Sequence, residues 1–170
     1  MRFVLIDQIT SLVPGQSISA IKSVSLAEEY LKDHFPGFAV LPGVMMVEAL
    51  TQTGAWYMRH AREFRYSTVL LKSAKGIRYA NFVTPGKILN LSMQVHGWDG
   101  PECTFKGSGT VDGVTVVSGR LTLTQFNLAD RCAELQSADE NQIAAARRLF
   151  SQLWRPSVAA ELPAQAATAG

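Results

Sequence analysis

Between Gly43 and Met58 the only charged side chain is Glu48, in a stretch that follows Pro42, contains no proline and is apolar on almost every side. An ionised carboxylate is costly to bury, so Glu48 must be paired, protonated or placed at a site. Gln52 follows at i+4, on the same helix face and within reach to orient it. Just upstream, Asp33-His34-Phe35-Pro36-Gly37 and Pro42-Gly43 set two Pro-Gly pairs around a short loop with His34 at its entry. That loop feeds the start of the Glu48 helix. The first N–H groups of such a helix, from Gly43 onward, lack intrahelical partners and carry the positive end of its dipole. A glycine there lets a substrate oxygen approach, and a developing oxyanion would be stabilised. His60 and His96 fall on polar faces and offer no comparable setting.

Turn signals divide the rest of the chain. Pro14-Gly15, Pro85-Gly86, Asp99-Gly100 and Asp112-Gly113 each suit a tight reversal. Between them lie runs that alternate apolar and polar residues with the period of a half-buried strand. Leu89, Leu91, Met93 and Val95 share one face of 88–96, and Cys103, Phe105, Gly107, Gly109 and Val111 one face of 103–111. The run 114–126 follows around Leu121 and Leu123. Segments 2–12, 17–25, 67–73 and 77–83 are further strand candidates. A helix over 43–63 would be about 31 Å long, and a strand of ten residues about 33 Å. A helix apolar all round belongs inside something. The sequence therefore predicts an α+β domain, a curved antiparallel sheet wrapped around one long helix.

From Asn127 the composition changes. Residues 1–127 read as the wrapped domain and 128–155 as a helical C-terminal extension anchored by Ile143, Leu149, Phe150, Leu153 and Trp154. An Ala/Pro-rich stretch over 156–170 reads as a flexible tail. At 170 residues, 47% hydrophobic and 18% charged, the chain can bury one sizeable core. A net charge of +2 is too balanced for a general nucleic-acid binder. Cys103 and Cys132 have no metal-ligand spacing, which fits a reducing compartment. No apolar run approaches the roughly 18 residues of a membrane span, and a cytoplasmic protein is expected.

The run His34-Phe35-Pro36-Gly37-Phe38-Ala39-Val40-Leu41-Pro42-Gly43-Val44-Met45-Met46-Val47-Glu48-Ala49-Leu50-Thr51-Gln52 resembles the signature HFPGxPxxPGVLxxEAxAQ of the FabZ-type (3R)-hydroxyacyl acyl-carrier-protein dehydratases. The likeness extends from about Phe3 to Phe126. It implies the hotdog fold, a long helix in an antiparallel sheet. It makes His34 the catalytic histidine, Glu48 the catalytic carboxylate and the Gly43 N–H the contact for the thioester carbonyl. Phe35, Pro36, Gly37, Pro42, Val44 and Gln52 become supporting residues. It implies no metal or organic cofactor. Two subunits share each site in the family, so a homodimer is expected, alone or as a trimer of dimers. Departures at Ala39, Thr51, Ala80, Asn81 and Lys87 bear on carrier docking and chain length more than on chemistry.

The implied reaction removes water from a 3-hydroxyacyl thioester to give the trans-2-enoyl thioester, His34 acting as base and Glu48 as acid. Met45, Met46, Trp56 and Phe82 are candidate lining for the acyl chain. Two other readings stay open: a hotdog acyl thioesterase, and a non-catalytic acyl-thioester-binding protein. Between 59 and 87 stand seven basic residues and one acidic, Glu63. Arg62, Arg65, Lys75, Arg78 and Lys87 are the expected docking residues for an acidic acyl carrier protein.

Overall fold

A computed structural model of the chain describes residues 4–32, 34–35 and 37–156. The proline-free apolar run forms helix α1, Gly43–Ala61, with Met46, Ala49, Leu50, Thr53, Tyr57 and Met58 all buried. The alternating runs form strands β1 (Gln8–Val13), β2 (Ser17–Ser23), β3 (Thr68–Tyr79), β4 (Ile88–Asp99), β5 (Glu102–Val111) and β6 (Val114–Phe126). They make one sheet in the order β1-β2-β4-β5-β6-β3, every pairing antiparallel. The inward residues Leu89, Leu91, Met93, Phe105, Leu121 and Leu123 join the α1 side chains in one core. Gly54 marks a close approach of α1 to the sheet, since a Cβ there would lie 2.9 Å from Met93 Cε. No helix among the described residues is long and apolar enough to cross a membrane.

The strand boundaries differ from expectation in two places. Residues 4–7 precede β1 instead of extending it, although the Asp7 N–H still donates to the Ile21 carbonyl of β2 at 2.9 Å. The Leu5 N–H donates to Gln52 Oε1 at 3.0 Å, and the Asp7 carboxylate accepts from the Ser23 N–H at 2.6 Å. Segments 67–73 and 77–83, expected as two strands, are joined in one strand, β3, which ends at Tyr79 and leaves residues 80–83 outside it. It is continuous through two irregularities, one between Leu71 and Ser73 and one between Lys75 and Arg78 around the left-handed Gly76. A bulge breaks the period-two pattern without ending the strand.

Beyond β6 the chain makes two short 3-10 turns and helix α2, Gln136–Leu153. The residues expected as a flexible tail, 157–170, lie outside the described residues. At its N-terminal end, α2 is held by Asp139, which is buried. Its carboxylate accepts from the Ser67 hydroxyl, from the Leu128 N–H at 3.0 Å and from the Ala129 N–H at 2.8 Å. At the other end Phe150 sits among Trp56, His60, Phe64 and Trp154, with ring centroids 5.4–6.0 Å away. Trp154 then forms a parallel bridge to Ile9, and the Arg155 N–H donates to the Ile9 carbonyl. The helix thus runs from the start of β3 to the free edge of β1 and covers part of α1.

Asp139 makes the docking of α2 sensitive to pH. Burial works to raise its carboxyl, but the donors from Ser67, Ala129 and Leu128 outweigh burial and hold it below the usual carboxylate value. A carboxyl lowered by folding contributes stability above its unfolded value of about 3.9 and loses it as pH falls through the folded value. Asp139→Asn should therefore lower the melting temperature at pH 7, and the gap from wild type should narrow below about pH 4. Thermal melts followed by circular dichroism at pH 7 and in acid check both expectations.

Candidate active site

The loop before α1 is fastened at several points. Lys22, buried on β2, pairs with Glu28 at 2.5 Å and draws the preceding segment onto the sheet. The loop closes on itself between His34 and Val40. The Val40 N–H donates to the His34 carbonyl at 3.1 Å, and His34 Nδ1 lies 3.1 Å from the Val40 carbonyl oxygen. Phe35 and Phe38 exchange backbone hydrogen bonds across a turn containing Gly37 at φ +84°, and the His34–Phe35 peptide is cis. Pro36 lies outside the described residues. The Leu41 N–H donates to the Val83 carbonyl at 2.8 Å and anchors the loop exit.

These bonds select the tautomer of the half-buried His34. A carbonyl oxygen only accepts, so Nδ1 must carry the proton toward Val40. In the neutral ring Nε2 is then left with the lone pair. The backbone thus orients the ring and leaves Nε2 as its acceptor nitrogen.

Pro42 and Gly43 follow. Met45 and Met46 N–H groups both turn back to the Pro42 carbonyl, at 2.9 and 3.2 Å, while those of Gly43 and Val44 precede the first helical acceptor. Gly43 has a second reason to lack a side chain. A Cβ on it would lie 2.8–3.1 Å from the ring of Tyr79, so the missing side chain makes room for an aromatic ring at the end of β3. Tyr79 thus joins the site, a residue that sequence pattern placed only next to Arg78.

Glu48 lies one and a half turns into α1 and is half-buried. Gln52 Nε2 donates to Glu48 Oε1 at 3.0 Å, while Gln52 Oε1 accepts the Leu5 N–H at 3.0 Å. The acceptor role toward Leu5 fixes which way the Gln52 amide faces. With an N–H directed at Oε1, an acid proton on Glu48 belongs on Oε2. Glu48 opens onto a cavity of about 580 Å³ between α1 and α2, with Gln52, Ala55, Trp56 and Arg59 along its α1 wall. His34 does not line that cavity. Within one chain, the two expected catalytic residues face different spaces.

The other expected residues divide. Trp56 lines the cavity and Met46 is core, whereas Phe82 is exposed and meets Phe38 edge-on at 5.9 Å. Arg62 lies over Trp98 and Arg65 over Tyr66, and Lys87 pairs with Asp112 at 2.8 Å. Lys75 and Arg78 instead line an outer groove with Lys106 and Arg120, two cations the sequence reading did not group with them. Cross-strand register brings them together: Lys75 is opposite Arg120, and Arg120 opposite Lys106. Neither cysteine is bonded. Burial pushes the Cys103 thiol up to about 12, which removes it as a nucleophile.

A long helix wrapped by a six-stranded antiparallel sheet, with a histidine loop at its N-terminus and a carboxylate inside it, defines a hotdog-fold protein. The fold is shared with a chain of the dehydratase heterocomplex ApeI:P from Xenorhabdus doucetiae, at a TM-score of 0.63 and 22% identity over 78% of this chain and 90% of that one. It is also shared with a point mutant of the fluoroacetyl-CoA-specific thioesterase FlK, at a TM-score of 0.58 and 15% identity over 75% and 98%. A family model described as FabA-like domain matches residues 1–120. The 3-hydroxyacyl-acyl-carrier-protein dehydratase FabZ of Oceanobacillus iheyensis is 34% identical over 71% of this chain and 86% of its own length. Its counterpart in Myxococcus xanthus is 36% identical over 72% and 81%. The chain belongs to the FabA-like family and groups with its FabZ-type members.

The Gln52 bridge has a measurable consequence. Gln52→Leu keeps the volume but removes the acceptor for the Leu5 N–H, in a residue that is 1% exposed. A buried donor left without a partner costs about 1–3 kcal/mol. Urea unfolding should show a loss in that range, and kcat should fall with it as Glu48 loses its fixed orientation.

Proposed function

We propose that this chain dehydrates (3R)-3-hydroxyacyl thioesters held on acyl carrier protein to trans-2-enoyl thioesters, in fatty acid or lipid biosynthesis in the cytoplasm. Residues 1–127 form the catalytic body in this reading. The observation that carries it is the His34–Val40 bond, which leaves Nε2 as a base beside the α1 N-terminus. The names of the sequence relatives support the same reaction. The two unpaired cysteines fit a reducing cytoplasm.

His34 Nε2 takes the C2 proton, and enolate-like charge grows on the thioester oxygen toward the Gly43 and Val44 N–H groups. Glu48 gives its Oε2 proton to the C3 hydroxyl, which leaves as water while the C2–C3 double bond forms. Gln52 holds Glu48 in register. The cycle closes when the proton on His34 is returned to Glu48 through solvent.

The base and acid come from different subunits of a homodimer. Two features support this. His34 and Glu48 face separate spaces in one chain, and the surface around His34 and the helix start is apolar and uncovered. Val44 is 72% exposed, Phe82 64%, Phe35 54% and Phe38 53%. A patch of that kind marks a contact surface. Edge strand β3, with Leu70 and Leu71 exposed, offers a free ladder for a second copy. The carrier docks on the Lys75–Arg120–Lys106 row with Arg78. Like charges placed opposite one another destabilise a sheet, so their retention on three adjacent strands favours an anionic partner.

His34→Ala and Glu48→Gln should each lower kcat by about 10²–10⁴-fold without loss of the fold. Mixing the two inactive proteins should restore about a quarter of wild-type activity on random subunit exchange, because half the dimers are mixed and each has one intact site. Absence of recovery despite exchange seen by mass spectrometry would place both residues in one chain's site. Release of free thiol without enoyl product would identify a thioesterase. Reversal of Lys75, Lys106 and Arg120 to Glu should raise KM for carrier-linked substrate and spare pantetheine thioesters, and the wild-type KM for carrier should rise with salt.

A further inference from the structure

Helix α2 lies beyond the stretch matched to the family, which ends at residue 120. It is tightly held at both ends, by Asp139 at one and by the Phe150 cluster at the other, yet its middle stands off from α1. Two of the side chains it turns toward the gap are only methyl groups, those of Ala145 and Ala146. Ala145, Ala146 and Leu149, all half-buried, form the inner wall, and the exposed Asn141 and Gln142 form a polar rim. A helix serving only as a cover would be expected to bury larger side chains there, since interiors pack closely and voids cost stability. Instead about 580 Å³ is kept open, a size within the roughly 300–1,000 Å³ of small-molecule sites. The cavity begins at Glu48 and continues along Gln52, Ala55 and Trp56.

We propose that this cavity receives the acyl chain beyond C3, and that α2, through Ala145, Ala146 and Leu149, sets the longest chain the site accepts. The inference rests on the reading of Glu48 as the acid at C3. If the C3 hydroxyl meets Glu48, the next carbons have the wall of Ala55, Trp56 and Val69 to run along, in a cavity that Thr51, Arg59 and Ser67 also line. The α2 wall then limits how far they extend, and the polar rim disfavours an apolar chain end that reaches the mouth.

The test is hydration of trans-2-enoyl pantetheine thioesters of graded length, from crotonyl upward, by the full chain, followed by loss of enoyl absorbance. Ala145→Phe fills the cavity from α2. It should lower kcat/KM by about tenfold or more on the longest thioesters that wild type accepts, and by less than about twofold on crotonyl, the scale on which pocket volume discriminates. Leu149→Ala should move the profile toward longer chains, and it carries the test if Ala145→Phe does not fold. Arg148→Phe, on the exposed face of α2, should leave the profile in place. A parallel fall at every length, an unchanged profile in both cavity variants, or an equal shift in the Arg148→Phe control would overturn the proposal. Wild-type protein that hydrates no thioester of the series would overturn the dehydratase reading itself, a result distinct from an active wild type with unaltered cavity variants.

Discussion

The structure turns on one polar stripe along an otherwise apolar helix. Glu48, Gln52 and Arg59 share a face of α1, while the rest of its surface is matched to the sheet. A curved sheet can satisfy most of that circumference but offers no partner for a carboxylate and an amide. Their partners come from outside the sheet. The backbone of Leu5 answers Gln52, Gln52 answers Glu48, and Trp56 underlies the Arg59 guanidinium at 5.3 Å. The N-terminal segment takes its position from that stripe, whereas α2 is fixed by Asp139 and the Phe150 cluster and faces the stripe across the cavity. The site occupies the remaining gap because that is where the fold has polar groups it cannot bury for free.

The histidine solves a different problem with fewer parts. In many acid–base sites a carboxylate orients the histidine and fixes its tautomer. Here a main-chain carbonyl does so, and the carbonyl belongs to the loop that the histidine itself begins. The Val40 N–H and C=O both turn to residue 34. Loop closure and tautomer are consequently one constraint. The ring is oriented by the loop that it begins.

Legibility in the sequence followed the range of the interactions. Strands β4, β5 and β6 were readable because alternation is local and their turns carry Asp-Gly pairs. The length and burial of α1 were readable from the absence of proline and charge, and the spacing of Glu48 and Gln52 gave their shared face. What was not readable depends on contacts far apart in sequence. Residues 4–7 look like strand until Leu5 meets Gln52. The break near Gly76 looks like a turn until β6 continues past it as a partner. Gly43 could be read for its backbone N–H, but that Tyr79 packs where its Cβ would stand is visible only in the structure. The docking cations were grouped by proximity along the chain, whereas cross-strand pairing regroups them with Lys106 and Arg120.

The end of α1 shows how the extension is tied to the body. The Phe64 N–H bonds to the Arg59 carbonyl and the Glu63 N–H to that of His60, the paired bonds of a Schellman motif. The position that usually holds glycine is Glu63 at φ +52°, followed by Phe64 at φ +59°. Non-glycine residues held left-handed cost roughly 1–2 kcal/mol each, so something must offset the strain. Both residues are used by α2. Phe64 is 8% exposed and meets Phe150 edge-on at 5.4 Å, while Arg147 donates to the Glu63 carbonyl and stacks over the Phe64 ring. Burial of a phenylalanine contributes about 1.5–3 kcal/mol, and the aromatic pair about 0.5–1.5 kcal/mol more. Those gains are of the size the backbone needs. The Phe150 and Arg147 contacts exist only while α2 is docked, so the geometry that ends α1 and the helix that roofs the cavity stabilise one another.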